Sequence, residues 1–348
     1  MKVLVQESHQ LTPDNPPAGD KFFCDERWLN LVETVYGYQV TRLEVRGSDG
    51  QSSCGYLPVC TLRSPLTGRR VVSLPFSDVC PMPVVDTPTA NQLVDQALEL
   101  GRQSHARYVE LRIGDSQYMR ERSDFVTSDM YVRWRLALEP DEDTIWADVQ
   151  KPVQRQVRKS RKMGVTIRFA DRREDMALYH RLHVGTRTGK HGMPSQPRKF
   201  FLELWDRFAA DGTLQVLFAE HEGSTLAGMV LFAYGDTVRY AYGASEERFL
   251  HLAPNNLLMW ESIAWAKANG YQLFDMGRTA KDNHGLMEFK RKWGASMDPL
   301  PYYYSPRMAG LASTSESSRK YQLLTTCWKH LPLPLASNLG GMLYKHLG

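Results

Sequence analysis

The sequence predicts an α/β (α+β) protein of two tandem units, each a mixed, mostly antiparallel sheet flanked by helices, with a helical tail. Three observations carry that expectation. The chain has 348 residues, which at roughly 100–200 residues per domain is enough for two. Each half runs through antiparallel β-type segments, then a helix, then one more buried strand. Two segments also echo one another: Tyr108-Val-Glu-Leu-Arg-Ile-Gly114 and Tyr271-Gln-Leu-Phe-Asp-Met-Gly277 share Tyr, an apolar-charged-apolar triplet and Gly in register.

Residues 1–20, with Pro13, Pro16, Pro17 and Gly19, read as a loose lead-in. Phe22–Tyr36 places Trp28, Leu31, Val32 and Val35 on one side of a helix. Short β-type runs follow at Val40–Val45, Cys54–Thr61 and Val71–Phe76, separated by Gly47-Ser48-Asp49-Gly50 and Thr67-Gly68. Ala90–Gln103 returns to helical spacing, and Tyr108–Ile113 reads as a strand. Tyr131–Leu138 alternates apolar residues with Arg133 and Arg135, the pattern of a half-buried strand. Glu139–Asp143 is polar and carries helix-capping residues, so the expected units are 1–140 and 141–310.

In the second unit, a helix is expected with Pro152 in its first turn and Gly164 at its end, and others over Arg173–Thr188 and Pro197–Ala210. A three-strand meander follows over Leu214–His221, Leu226–Tyr234 and Val238–Gly243. A helix opened by Pro254-Asn255-Asn256 and closed by Gly270 leads to the strand Tyr271–Met276. A short helix spans the region of Leu286, Phe289 and Trp293. In the remainder, 311–348, Ser313–Ser318 reads as a linker and Tyr321–His330 as a helix broken by Leu331-Pro-Leu-Pro-Leu335. Leu339–Gly348 reads as an apolar tail packed on the body, with contact at a membrane surface as the other reading.

Composition narrows the function classes. Hydrophobic residues are 42% and charged residues 24%, typical of a folded globular chain. No run approaches the ~20 apolar residues of a membrane-spanning helix. The N-terminal apolar run is too short for a secretory signal. Five cysteines without a CxxC pair fit a reducing cytoplasm and no structural metal. His180, His183 and His191 lack the partners of a zinc site and read as ordinary helix residues. There is no G-x-S-x-G, P-loop or dinucleotide fingerprint, which removes the usual support for serine hydrolases, Walker NTPases and Rossmann oxidoreductases.

A net charge of +4 says little about partners, but its distribution says more. Lys151–Arg168 holds seven Lys/Arg and no acid. Arg155, Arg158, Lys159 and Lys162 share one helical face, where like charges repel. Such a face suits phosphates of a nucleotide, tRNA or lipid headgroup, or is a solvated helix paired with acids elsewhere. Asp275 and Arg278 stand where a buried strand ends, which is where ligands gather in open α/β sheets; a turn cap is the other reading of Asp275. Lys290 flanks an apolar helix face, from which it can reach a cleft or simply solvent.

These segments together resemble the FemAB-like aminoacyl/acyl transferases of the GNAT superfamily. The matching pieces are Tyr242-Gly243-Ala244-Ser245, Pro254-Asn255-Asn256, Phe274-Asp275-Met276-Gly277-Arg278 and Phe289-Lys290-x-x-x-Gly294-Ala295, with Lys162-Met163-Gly164-Val165 closing the basic helix. Ser73-Leu-Pro-Phe76 resembles a first-domain motif, although Cys80-Pro81 replaces the glycines usual downstream. The flavour is that of FemAB-like proteins tied to exopolysaccharide and protein sorting in Gram-negative bacteria. The resemblance implies tandem GNAT-like domains around a cleft lined by Tyr242, Asn256, Asp275, Arg278 and Phe289. It also implies that Lys290 holds phosphates of a nucleotide- or lipid-linked glycan precursor. No resident cofactor is expected. The donor expected is aminoacyl-tRNA or another activated acyl compound. Acyl-CoA is disfavoured, because Ala244–Pro254 has no glycine and carries two acids where a pyrophosphate cradle would need free backbone N–H groups. The expected reaction is attack of an acceptor amine on the donor carbonyl, with Asp275 taking the proton and Lys290 and Arg278 neutralising charge. A non-catalytic binding or scaffold protein of envelope polysaccharide assembly is the alternative, and the expected location is cytoplasmic, at or near the inner membrane.

Overall fold

The first half supplies β1 (Gln39–Arg46), β2 (Ser53–Ser64), β3 (Gly68–Val72), β4 (Val109–Leu111) and β5 (Val126–Ala137). The second supplies β6 (Thr166–Phe169), β7 (Leu214–His221), β8 (Ser224–Tyr234), β9 (Thr237–Ser245), β10 (Leu273–Ala280) and β11 (Ser296–Ser305). In this computed structural model, which describes residues 18–65, 67–306, 328 and 331–346, these strands form one sheet. Its order is β1-β2-β3-β4-β11-β5-β10-β9-β8-β7-β6.

That order is nearly symmetric about its centre. β3 and β4 are parallel, and so are β9 and β10. Each parallel pair is bridged by a helix, α2 (Thr87–Gln103) in the first half and α7 (Pro254–Ala268) in the second. The helix between echoing strands is therefore the crossover that a parallel pair requires. The last strand of each half has changed sides: β5 pairs with β10, and β11 pairs with β4. β5 and β11 then pair with each other at the centre. The polar seam at 139–143 falls in the turn after β5, while the sheet runs unbroken across both halves.

The other helices are α1 (Glu26–Tyr36), α3 (Glu142–Asp148), α4 (Lys151–Lys162), α5 (Asp175–Gly185), α6 (Arg198–Phe208), α8 (His284–Arg291) and α9 (Leu333–Tyr344). Asp25, Asp86 and Asp141 cap α1, α2 and α3 by accepting from backbone N–H groups of the first turn. α4 and α7 cover one face of the second half, packing Val153, Val157, Trp260 and Ile263 into a shared core. α1 crosses to the second half, where Phe22 and Trp28 join Phe200, Phe208 and Phe232. Each such side chain removed from water contributes about 1.5–3 kcal/mol, so the halves are joined by their cores as well as by the sheet.

Several expectations change. β3 stops at Val72, because Leu74 and Phe76 have positive φ (57° and 65°) and turn the chain out of the sheet. β6 and β11 were not foreseen. Pro299 and Pro301 make β11 read as a loop, yet the strand is central. A register shift between Leu300 and Tyr302 takes Pro301 out of the ladder, which is how a sheet admits proline. The Arg173–Thr188 helix ends at Gly185 and continues as a wider turn, Thr186–Lys190. Leu331 and Pro332 stand between helical Trp328 and α9, and Pro334 sits in the first turn of α9. The linker Ser313–Ser318 and most of Tyr321–His330 lie outside the described residues. Among the described residues no helix is long and apolar enough to cross a membrane.

Candidate active site

The site forms where β10 leaves its partners. β10 pairs with β9 only through Leu273–Asp275, and a bulge between Asp275 and Gly277 shifts its register against β5. Gly277 has φ +75°, and a Cβ there would stand 3.1 Å from Asp78 Oδ2. Only glycine meets both demands without strain. Gly114, three residues beyond β4, also has positive φ (+77°), so the sequence echo marks two left-handed glycines.

The bulge sends Asp275 and the following carbonyls in different directions. Asp275 is fully buried. Its Oδ2 lies 2.8 Å from Arg133 Nη2 and 2.9 Å from Arg239 Nη2, and its Oδ1 accepts from the Gly277 N–H at 2.8 Å. Asp20 binds the same two arginines, at 2.7 Å from Arg133 Nη1 and 2.9 Å from Arg239 Nη2. Burial pushes the Asp275 carboxyl up, and the two guanidiniums more than reverse it, holding it well below the usual carboxylate range. The expected role of Asp275 as proton acceptor is therefore corrected. It is locked in a buried, charge-balanced tetrad with Arg133, Arg239 and Asp20, and it braces the bulge through the Gly277 N–H.

Lys290, on α8, is buried. Its Nζ donates to the carbonyls of Gly277 and Arg278, both at 3.0 Å. Burial lowers its pKa from 10.5 to about 8, with Asp78 and Asp275 partly opposing the shift. Arg278 turns the other way: its guanidinium lies 4.5 Å from the Tyr131 ring centre, and Nη1 donates to the Tyr302 hydroxyl at 2.9 Å.

Asp78 comes from the first half and completes the group. Its Oδ2 accepts from the Arg278 N–H at 3.0 Å, and its Oδ1 is 3.5 Å from Arg278 Nε. The Tyr302 hydroxyl donates to the Asp78 carbonyl at 2.7 Å. The loop bearing Asp78 is held from beneath by buried Arg112, which pairs with Glu110 at 2.7 Å and donates to the carbonyls of Leu74 and Ser77. Arg112 stands where the echo places Asp275 in the other half. Both turns thus carry a left-handed glycine, and a buried charge of opposite sign braces each.

Of the residues singled out by sequence, the structure brings Arg278 and Lys290 together. Tyr242 on β9 packs edge-on against His183, Phe200 and Phe201, and burial raises its pKa. Asn256 sits in the first turn of α7, its N–H bonded to the Ala253 carbonyl. Phe289 packs toward Trp293 and the second-half core, not beside the Lys290 ammonium. Arg155, Arg158, Lys159 and Lys162 are exposed along α4, whose opposite face buries Val153 and Val157. Arg158 lies over the Trp146 ring at 5.6 Å, and neighbouring Arg161 is paired with Glu261 at 2.7 Å. The start of α4 abuts the end of α8, through Gln150 N–H to the Lys292 carbonyl at 2.9 Å. His180 and His183 are bonded to Gln196, and burial lowers His183 to about 3, which keeps it neutral.

Asp78, Arg187, Arg112 and Tyr302 were missed. The signal for Asp78 was available, two residues beyond the Ser73-Leu-Pro-Phe76 motif; the others meet the site only through long-range pairing.

Residues 147–291 match the family described as acetyltransferase (GNAT) domain. A lipid II:glycine glycyltransferase of Staphylococcus epidermidis is 34% identical over 82 residues, 22% of this chain and 20% of that protein. The match thus spans about a fifth of that relative's length. Among solved structures, FemX superposes with a TM-score of 0.64 at 18% identity, covering 80% of this chain and 90% of FemX. A tandem GNAT protein from the clavulanic acid biosynthesis pathway superposes with a TM-score of 0.50 at 14% identity, covering 82% and 95%. The two superpositions bear out the expected tandem fold, and the glycyltransferase match shows likeness over part of the chain.

Proposed function

We propose that this protein is an N-acyltransferase that moves an acyl or aminoacyl group to an amine of a cell-envelope precursor, with aminoacyl-tRNA as donor. The observation that carries it is the buried Lys290 ammonium, fixed by two carbonyls of the β10 bulge beside Arg278 and a partly exposed carboxylate, Asp78. The partial match to lipid II:glycine glycyltransferases supports a lipid-linked glycan precursor as acceptor. Two features support a donor other than acyl-CoA. Acids Glu246 and Glu247 follow β9, and the Asn256 and Leu257 N–H groups at the start of α7 both bond the Ala253 carbonyl.

In this reading the acceptor amine attacks the ester carbonyl of the donor. A C–N bond forms, the ester C–O bond breaks, and the amine proton passes through the Asp78 carboxylate to the departing ribose oxygen. Lys290 and Arg278 stabilise phosphate and the developing oxyanion. The exposed face of α4 meets the donor's phosphates. Position of the two reactants accounts for the remaining acceleration.

Asp78→Asn keeps the shape of the loop and removes the proton acceptor. Transfer from charged tRNA to a lipid-linked precursor, followed by product mass, is expected to fall about 100-fold or more with the unfolding midpoint nearly unchanged. Full activity in this variant would rule out the role of Asp78.

A further inference from the structure

One helix packs against the aromatic residues that lead to the site. α9 docks along the 195–197 segment through two glycines: a Cβ on Gly340 would stand 3.0 Å from the Ser195 backbone N, and one on Gly341 would stand 3.0 Å from Pro197 Cβ. This close approach carries Tyr344 over the aromatic wall of the site. Its ring stacks on Phe76 at 4.8 Å and 27°, and lies 6.3 Å from Tyr36 at 30°. Tyr38 stacks against Tyr36 and Phe76 and donates to the Lys345 carbonyl at 2.6 Å. Phe76 is the last residue of the motif that leads to Asp78.

Two cations flank this docking: Arg187 Nε donates to the Pro194 carbonyl at 3.2 Å, one residue before the Ser195 that Gly340 meets, and Arg278 pairs with Asp78, two residues beyond Phe76. Arg187 and Arg278 are two positive charges, and Asp78 pairs with Arg278. A neutral phenol is a poor match for that excess. A ring bearing an anionic group would use both the aromatic wall and the cations. Leu333, Leu335 and Met342 of α9 are 50%, 46% and 66% exposed among the described residues.

We propose that Tyr344 is a resident competitor for a ligand slot walled by Tyr36, Tyr38 and Phe76 and floored by Arg187 and Arg278. The slot takes a planar ring joined to an anionic group, and α9 must lift for that ligand to enter. This rests on the cleft being the substrate site proposed above, but it is tested by binding alone, so failure of transfer would not decide it.

Phenyl phosphate is the probe, with phenol as its uncharged control, titrated calorimetrically into the full chain. Two variants remove the competitor differently: Tyr344→Ala deletes the ring, and Gly340→Val pushes α9 off Ser195 while leaving the slot intact. If α9 is docked nine-tenths of the time or more, both variants bind phenyl phosphate about tenfold or more tighter than the wild type, and phenol gains far less. Equal phenyl phosphate affinity in all three proteins, or no binding to any, overturns the proposal. So does phenol binding as tightly as phenyl phosphate in the variants, which would show a mere void. A gain in Tyr344→Ala without one in Gly340→Val also counts against it.

Discussion

Replacing Lys290 by Met keeps the length of the side chain and removes its charge, which isolates what burial does to this ammonium. In the folded protein its pKa is about 8, against 10.5 when exposed. Below about pH 8 the group is charged both folded and unfolded, and the native state carries the whole cost of burying it. Between about 8 and 10.5 the folded protein releases its proton while the unfolded chain keeps it. The unfolded state then binds more protons, so stability rises with pH. At about 1.4 kcal/mol per pH unit, the wild type should gain about 2.5 kcal/mol relative to Lys290→Met between pH 7 and pH 10. Urea unfolding of both proteins across that range measures it. Tyrosine and cysteine titrations occur in both chains and cancel in the difference, as does the loss of the bonds to the Gly277 and Arg278 carbonyls. Parallel stability curves would refute the reasoning, because Lys290 would then titrate as an ordinary surface lysine.

Asp275→Asn should be far more damaging to the fold than Asp78→Asn. It leaves Arg133 and Arg239 buried with only Asp20, at a cost of about 3–5 kcal/mol, read as a lower urea midpoint. Because Arg133 and Arg239 hold the Asp275 carboxyl ionised well below the usual range, its contribution in the wild type is present above about pH 4 and lost as pH falls further; acid unfolding of the two proteins should converge. On α4, changing Arg155, Lys159 and Lys162 together to Gln should weaken tRNA binding and flatten the log-affinity against log-salt slope by about 2–3. An unchanged slope would mean that this face meets no phosphates.

The local parts of this fold are legible because they obey short-range rules. α1 follows from apolar spacing, α4 from its shared basic face and α7 from Pro254 at its start and Gly270 after its end, and β7–β9 follow from two tight turns. The antiparallel register then observed, with Val230 opposite both Val216 and Tyr242, needs nothing distant. β11 is hidden because its prolines argue against a strand until the bulge that accommodates Pro301 is seen. The exchange of β5 and β11 is hidden because no local signal says which sheet edge a last strand will choose. The same holds for the site. Arg278 and Lys290 are found through a motif confined to one segment. Asp275 sits in the same motif, but its chemistry is set by Asp20, Arg133 and Arg239, which lie 36 to 255 positions away in sequence. A carboxylate at a strand end reads as a base until its partners are known. Asp78 shows the converse: an unremarked residue gains a role because the halves join there.

The central claim, an acyl transfer that draws on charged tRNA, is tested most directly by filter binding of the purified protein to aminoacyl-tRNA, with uncharged tRNA and acetyl-CoA as competitors. The account predicts binding that depends on the aminoacyl group, resists acetyl-CoA and weakens when the α4 face is neutralised. Displacement by acetyl-CoA, or no binding of charged tRNA at all, would contradict it and leave a small-molecule acyl donor in its place.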